Sequence, residues 1–131
     1  MPDYNGVYKL VSSENFDAFL QAMGLNVLMR KAATSGTPTI TVSVSGDQWT
    51  LKQENKLRTN VMEFQLGVQR DVKNLDGKSA TSIVTKEGDT LVERRSGEGR
   101  QAEIIREFTD SQLKVTMKLE GVTAVRVFQK Q

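Results

Sequence analysis

Arg106 and Arg126 are the residues in this sequence whose setting demands chemistry. Ile104, Arg106 and Phe108 alternate with Glu103, Ile105 and Glu107, and Ala124, Arg126 and Phe128 alternate with Thr123, Val125 and Val127. Residues two apart on an extended strand share a face, so each guanidinium points where apolar core belongs. The same phase on the preceding hairpin groups Leu91, Glu93 and Arg95. An unpaired buried charge costs several kcal/mol, a large share of a small domain's stability, and arginine cannot escape by losing its proton. An internal carboxylate, ordered water or an anionic ligand must offset it. The planar fork of arginine grips a carboxylate through two parallel bonds. With Ile, Phe, Met and Leu along the walls, the pattern fits an amphiphile with an anionic head and an apolar tail. Two other arrangements remain open: an internal arginine–Glu93 pair with water, and a sheet of opposite phase whose arginines face solvent.

Composition narrows the alternatives. The 131 residues contain no Cys and no His. Thiolate nucleophiles, imidazole bases, Ser-His-Asp triads, disulfides, iron–sulfur clusters and the usual zinc sites are therefore excluded. Glu93, Glu54, Asp76 or a lysine would have to carry any catalysis, and no paired-carboxylate spacing stands out, so no catalytic residue, cofactor or metal site is expected. Eighteen Lys+Arg against 16 Asp+Glu leave a net charge of only +2, too little for a dedicated nucleic-acid binder. The start Met1-Pro2-Asp3-Tyr4-Asn5-Gly6 has neither the basic nor the apolar region of a signal peptide. No apolar run approaches a membrane span of roughly 18 residues. A cytoplasmic protein is the expectation.

The elements that must position the arginines follow from periodicity. Phe16, Phe19, Leu20 and Met23 recur at helical spacing between Glu14 and Met23, with Ser12 and Ser13 as candidate N-caps and Gly24 as the stop. Asn26 is a candidate cap for a second short helix through Val27–Ala33, and Thr34-Ser35-Gly36-Thr37-Pro38 ends helical structure. After Pro38 the period is two: Ile40, Val42 and Val44; Trp49 and Leu51; Met62, Phe64 and Leu66; Leu113, Val115, Met117 and Leu119. Turn signals such as Ser45-Gly46-Asp47, Asp76-Gly77, Glu87-Gly88-Asp89, Ser96-Gly97-Glu98-Gly99 and Glu120-Gly121 separate the runs. Counting Gly6–Leu10, about ten strands are expected. The fold class is all-β: a ten-stranded up-and-down antiparallel barrel, or β-clam, with a helix-turn-helix lid near the N-terminus, in one domain over residues 1–131. So wide a barrel encloses a cavity.

The residues also carry a family resemblance. Gly6-x-Tyr8-Lys9-Leu10, Ser13-Glu14-Asn15-Phe16-Asp17, Arg30-Lys31, Gly46-Asp47, Phe64-Gln65-Leu66-Gly67, Asp76-Gly77-Lys78, Ile105-Arg106-Glu107-Phe108 and Val122–Phe128 together resemble the intracellular lipid-binding proteins, which include the fatty-acid-binding proteins, the cellular retinoic-acid-binding proteins and myelin P2. The resemblance spans nearly the whole chain. It implies a cytosolic monomer that carries a long-chain fatty acid or similar lipid carboxylate non-covalently. Retinoic-acid transport and a membrane-associated structural role of the myelin P2 type stand as alternatives. It further implies that Arg106 and Arg126 hold the ligand carboxylate together with a residue at 128. That residue is tyrosine in the family and Phe128 here. The lost O–H donor is worth about 1.5–3 kcal/mol to a charged group. Retention of both arginines favours an acidic ligand over an alcohol.

The resemblance carries over Phe16, Leu20, Leu25, Ala33, Pro38, Leu57, Leu75 and Asp76 as portal and cavity positions. Arg95 is assigned either to the ligand or to Glu93. Met117 and Met62 are adaptable wall residues, and Trp49 is packing. Departures from the family lie at the rim, where Leu57 replaces a bulky phenylalanine, Arg70 stands where a phenylalanine is common, and Gly24-Leu25-Asn26 replaces Gly-Val-Gly. Arg30, Lys31 and Arg58 on the lid would allow transient contact with an anionic membrane.

Overall fold

The computed structural model describes residues 3–131. Ten strands run β1 (Gly6–Glu14), β2 (Thr39–Ser45), β3 (Gln48–Glu54), β4 (Thr59–Gln65), β5 (Arg70–Lys73), β6 (Ser79–Glu87), β7 (Thr90–Gly97), β8 (Arg100–Phe108), β9 (Gln112–Leu119) and β10 (Val122–Lys130). Two seven-residue helices, α1 (Phe16–Ala22) and α2 (Val27–Ala33), lie between β1 and β2. The sheet order is β4-β3-β2-β1-β10-β9-β8-β7-β6-β5, with each strand antiparallel to its neighbours. The edges β4 and β5 face each other without pairing, so the barrel is nearly closed. Across this gap the Gly67 N–H donates to the Val84 carbonyl at 2.8 Å. Gly67 has φ +76°, a left-handed turn that glycine reaches without steric cost.

Periodicity locates the strands well and the entry to α1 less well. Ser12 and Ser13 do not cap that helix. They extend β1, pairing with Val127 and Arg126 beyond a bulge between Leu10 and Ser12. The bulge adds a residue to β1 and keeps it on β10 as far as Glu14, so the chain turns only at Asn15, in the left-handed region with φ 61° and no side-chain cap. Asn15 instead donates through Nδ2 to the Thr123 carbonyl at 3.3 Å. Asn26 caps α2 as expected, accepting the Met29 N–H at 2.9 Å.

The interior has two halves. At one end Tyr4, Tyr8, Trp49, Phe64 and Phe108 form an aromatic floor: Trp49 stacks on Phe64 at 6.1 Å between centroids and 8° between planes, and Tyr4 meets the Phe108 ring at 5.1 Å. The Tyr4 hydroxyl donates to Asp89 at 2.6 Å and the Tyr8 hydroxyl to the Tyr4 carbonyl at 2.9 Å, which satisfies the two tyrosine tips, whereas the Trp49 indole N–H is buried without a partner. The other end, beneath the helices, is hollow.

Candidate functional site

The strand register builds the site. Val115 on β9 lies opposite Arg106 on β8 and opposite Arg126 on β10. Directly opposed residues share a face of the sheet, so the two arginines point into the barrel, about 10 Å apart across two strand spacings. A second row runs Arg70 on β5, Ser82 on β6, Arg95 on β7. Glu93 is inward on β7, two residues from Arg95, and is completely buried.

Glu93 organises one side of the hollow. Its Oε1 accepts Arg106 Nη1 at 2.9 Å. Its Oε2 accepts Ser82 Oγ at 2.6 Å, Arg95 Nη2 at 2.7 Å and Arg95 Nε at 3.1 Å. Arg70 Nη2 stands 3.8 Å from the same oxygen. Asn74 Oδ1 accepts Arg95 Nη1 at 3.1 Å. Burial pushes the Glu93 carboxyl up, but Arg106 and Arg95, helped by the Ser82 bond, outweigh it and hold the group at about 2. Of the arrangements open at the level of sequence, the internal pair with Glu93 is the one adopted by Arg95 and Arg106.

Arg126 is different. It is 4% exposed, and among the described residues no carboxylate lies within ion-pair distance of it. Its Nε is buried without a partner. Aromatic faces stand in: the guanidinium carbon lies 3.9 Å from the Phe16 ring centroid and 5.6 Å from that of Phe128, contacts of roughly 0.5–2 kcal/mol. Burial alone lowers its pKa, to about 10, so it is still a cation at neutral pH.

These groups open on a cavity of about 550 Å³ between the barrel walls and α1. Of the residues singled out in the sequence, Phe16, Leu20, Leu75, Arg95, Arg106, Met117, Arg126 and Phe128 line it. Five others do not. Leu25 and Ala33 pack into the core under the helices. Pro38 is fully buried, and its carbonyl accepts the Leu10 N–H at the bulge. Leu57 is 65% exposed, because Asn55 turns the β3–β4 loop by accepting the Leu57 and Arg58 N–H groups. Asp76 caps its own turn, accepting the Lys78 N–H at 3.0 Å. On the lid, Arg30 is bonded to its neighbours. It donates to Asp17 at 3.0 Å and to the Leu25 carbonyl at 2.8 Å, while Val27 and Leu28 are exposed.

Arg70, Ser82 and Asn74 are the members of the ion cluster that site reasoning from sequence left out. Arg70 was legible as an oddity, but β5 has four residues and shows no clean alternation. Nothing in the sequence singles out Ser82.

Comparison with known proteins agrees with this fold. Residues 5–131 match the model of the lipocalin / cytosolic fatty-acid binding protein family. A fatty acid-binding protein of Tyrophagus putrescentiae is 42% identical over the full length of both chains. A solved fatty acid-binding protein from brain tissue of Drosophila melanogaster is 37% identical, covering 97% of this chain and 99% of that one, with a TM-score of 0.90. A Schistosoma mansoni fatty acid binding protein in complex with arachidonic acid is 29% identical, with 98% and 96% coverage and a TM-score of 0.90. The chain belongs to the lipocalin / cytosolic fatty-acid binding protein family. That family consists of lipid-binding carriers rather than enzymes, and this chain is a lipid-binding β-barrel.

Proposed function

We propose that this protein is a cytosolic, monomeric carrier of a long-chain fatty acid or similar lipid carboxylate. The acid head lies between Arg126 and Arg106, and the tail lies along Phe16, Leu20, Leu75, Met117 and Phe128. The observation that supports this is Arg126: a buried cation on the wall of a cavity with an apolar side, with aromatic faces around it and, among the described residues, no carboxylate in reach. A ligand carboxylate supplies the missing counter-charge, and burial of the tail supplies most of the affinity. Phe128 brings no hydroxyl to the head, so the clamp rests on guanidinium groups alone.

Oleate titrated into delipidated protein is expected to bind one to one. Arg126→Gln should weaken binding about 10- to 100-fold, the equivalent of one charge-assisted bond. Unchanged oleate affinity in that variant would refute the clamp.

A further inference from the structure

The charges inside the barrel do not balance. Five arginines line the cavity, Arg70, Arg95, Arg100, Arg106 and Arg126, and among the described residues Glu93 is the carboxylate that meets three of them. Asp71 and Lys73, also on the wall, are exposed and of opposite sign, so together they leave the sum unchanged. Arg100 turns away to the carbonyls of Ala22 and Met23 at the end of α1. Among the described residues, the other four arginines and Glu93 therefore leave three cations more than anions in the interior. A single ligand carboxylate would leave two.

Two of the four show where the surplus sits. Among the described residues Arg126 has no carboxylate within ion-pair distance, and its Nε is buried without a partner. Arg70 reaches Glu93 only at 3.8 Å, and its Nε and Nη2 are buried without hydrogen-bond partners. Glu93 Oε2 already accepts three bonds, from Ser82 and Arg95, and has little capacity left for Arg70. Unmade bonds of buried charged donors are expensive, and a ligand that completes them gains accordingly.

Resting on the carrier reading above, we infer that the head-group site is built for a dianion, and that its best-fitting ligand class is a single-chain lipid ending in a phosphate monoester. Such a head carries nearly two negative charges at neutral pH and three strong acceptor oxygens. Arginine forks match it geometrically. Arg126 and Arg106 take one side of the phosphate and Arg70 approaches from β5 across the cavity. The tail occupies the same apolar wall that a fatty acid would use.

The test compares heads on one tail. Hexadecyl phosphate, hexadecanoic acid and hexadecanol compete at pH 8 for delipidated protein against a fluorescent fatty-acid probe. The phosphate is expected to bind at least tenfold tighter than the acid, and the alcohol weakest. In Arg70→Phe the advantage of phosphate over acid should shrink to under threefold. Acid binding as tightly as phosphate would overturn the dianion site and leave the carrier reading standing. Failure of all three to bind would overturn both. A phosphate advantage that persists in full in Arg70→Phe would remove Arg70 from the site and overturn the inference as drawn. Inorganic phosphate at 10 mM should compete weakly. If it competed as well as hexadecyl phosphate does, the site would be one for free anions, and the lipid assignment would fall.

Discussion

Arg106 and Arg126 flank the same residue, Val115, at the same height in the barrel, yet they live in opposite electrostatic surroundings. Arg106 shares a fully buried carboxylate with Arg95 and so has an internal counter-charge before any ligand enters. Arg126 has two aromatic rings and, among the described residues, no counter-charge. On one side of the cavity the cations already share an anion. On the other a charge is held in readiness. The difference shows that strand parity alone cannot distinguish an arginine with an internal counter-ion from one without. The number of acids among the neighbours decides it.

The largest effect should come from removing the carboxylate. Glu93→Gln leaves Arg106 and Arg95 without their anion. Breaking a buried pair on one side costs about 3–5 kcal/mol, and urea unfolding of the ligand-free variant should show a loss of that size. A loss under about 1 kcal/mol would erase the contrast between the two sides.

The same pair predicts an acid response. The Glu93 carboxyl falls from 4.5 to about 2 on folding, which at about 1.4 kcal/mol per pH unit amounts to about 3 kcal/mol. A depressed acid contributes its stability above the unfolded value and loses it on the way down. Wild-type protein should therefore lose this increment between about pH 4.5 and pH 2, whereas Glu93→Gln should lack that part of the slope. Parallel stability profiles for the two proteins through this window would contradict the pairing.

Substitution at the two arginines should separate them by sign. Arg106→Met strands Glu93 with fewer partners and should lower the stability of the ligand-free protein by about 2 kcal/mol or more. Arg126→Met removes a lone buried cation, keeps an apolar stem between Phe16 and Phe128, and should leave stability equal or up to about 1 kcal/mol higher. Equal losses would mean that Arg126 has a structural partner after all.

Much of this was legible in the sequence, and for physical reasons. The period-two pattern at Ile104–Phe108 and Ala124–Phe128 set the inward phase of both arginines, and Arg126 is buried and Arg106 half-buried accordingly. Asn26 announced α2 through ordinary capping chemistry. What stayed hidden depends on long-range register. The bulge that keeps Ser12 and Ser13 in β1 has no local signature. Ser82 and Arg70 reach Glu93 because β5, β6 and β7 align at particular residues, which no single run of sequence specifies. Resemblance placed Leu57 and Asp76 at the cavity, whereas local turn bonds at Asn55 and within the Asp76 turn hold them off its wall.

A third guanidinium sharpens the comparison at the smallest scale. Arg100 meets neither a full ion pair nor an aromatic face. Its Nη1 and Nη2 accept nothing and donate to the carbonyls of Ala22 and Met23, at 2.6 and 3.1 Å, with Glu120 a distant 3.9 Å from Nε. These carbonyls end α1, where helix carbonyls lack internal partners and a cation is favoured. Arg100 thus ties the lid to β8 without touching the head-group arginines. Arg100→Met should speed amide exchange in α1 about fivefold, the worth of roughly 1 kcal/mol of hydrogen bonding. Exchange in β8–β10 should stay as it was. If exchange in α1 is unmoved, the helix is held by the packing of Phe19 and Leu20 alone, and Arg100 is an ornament of the rim.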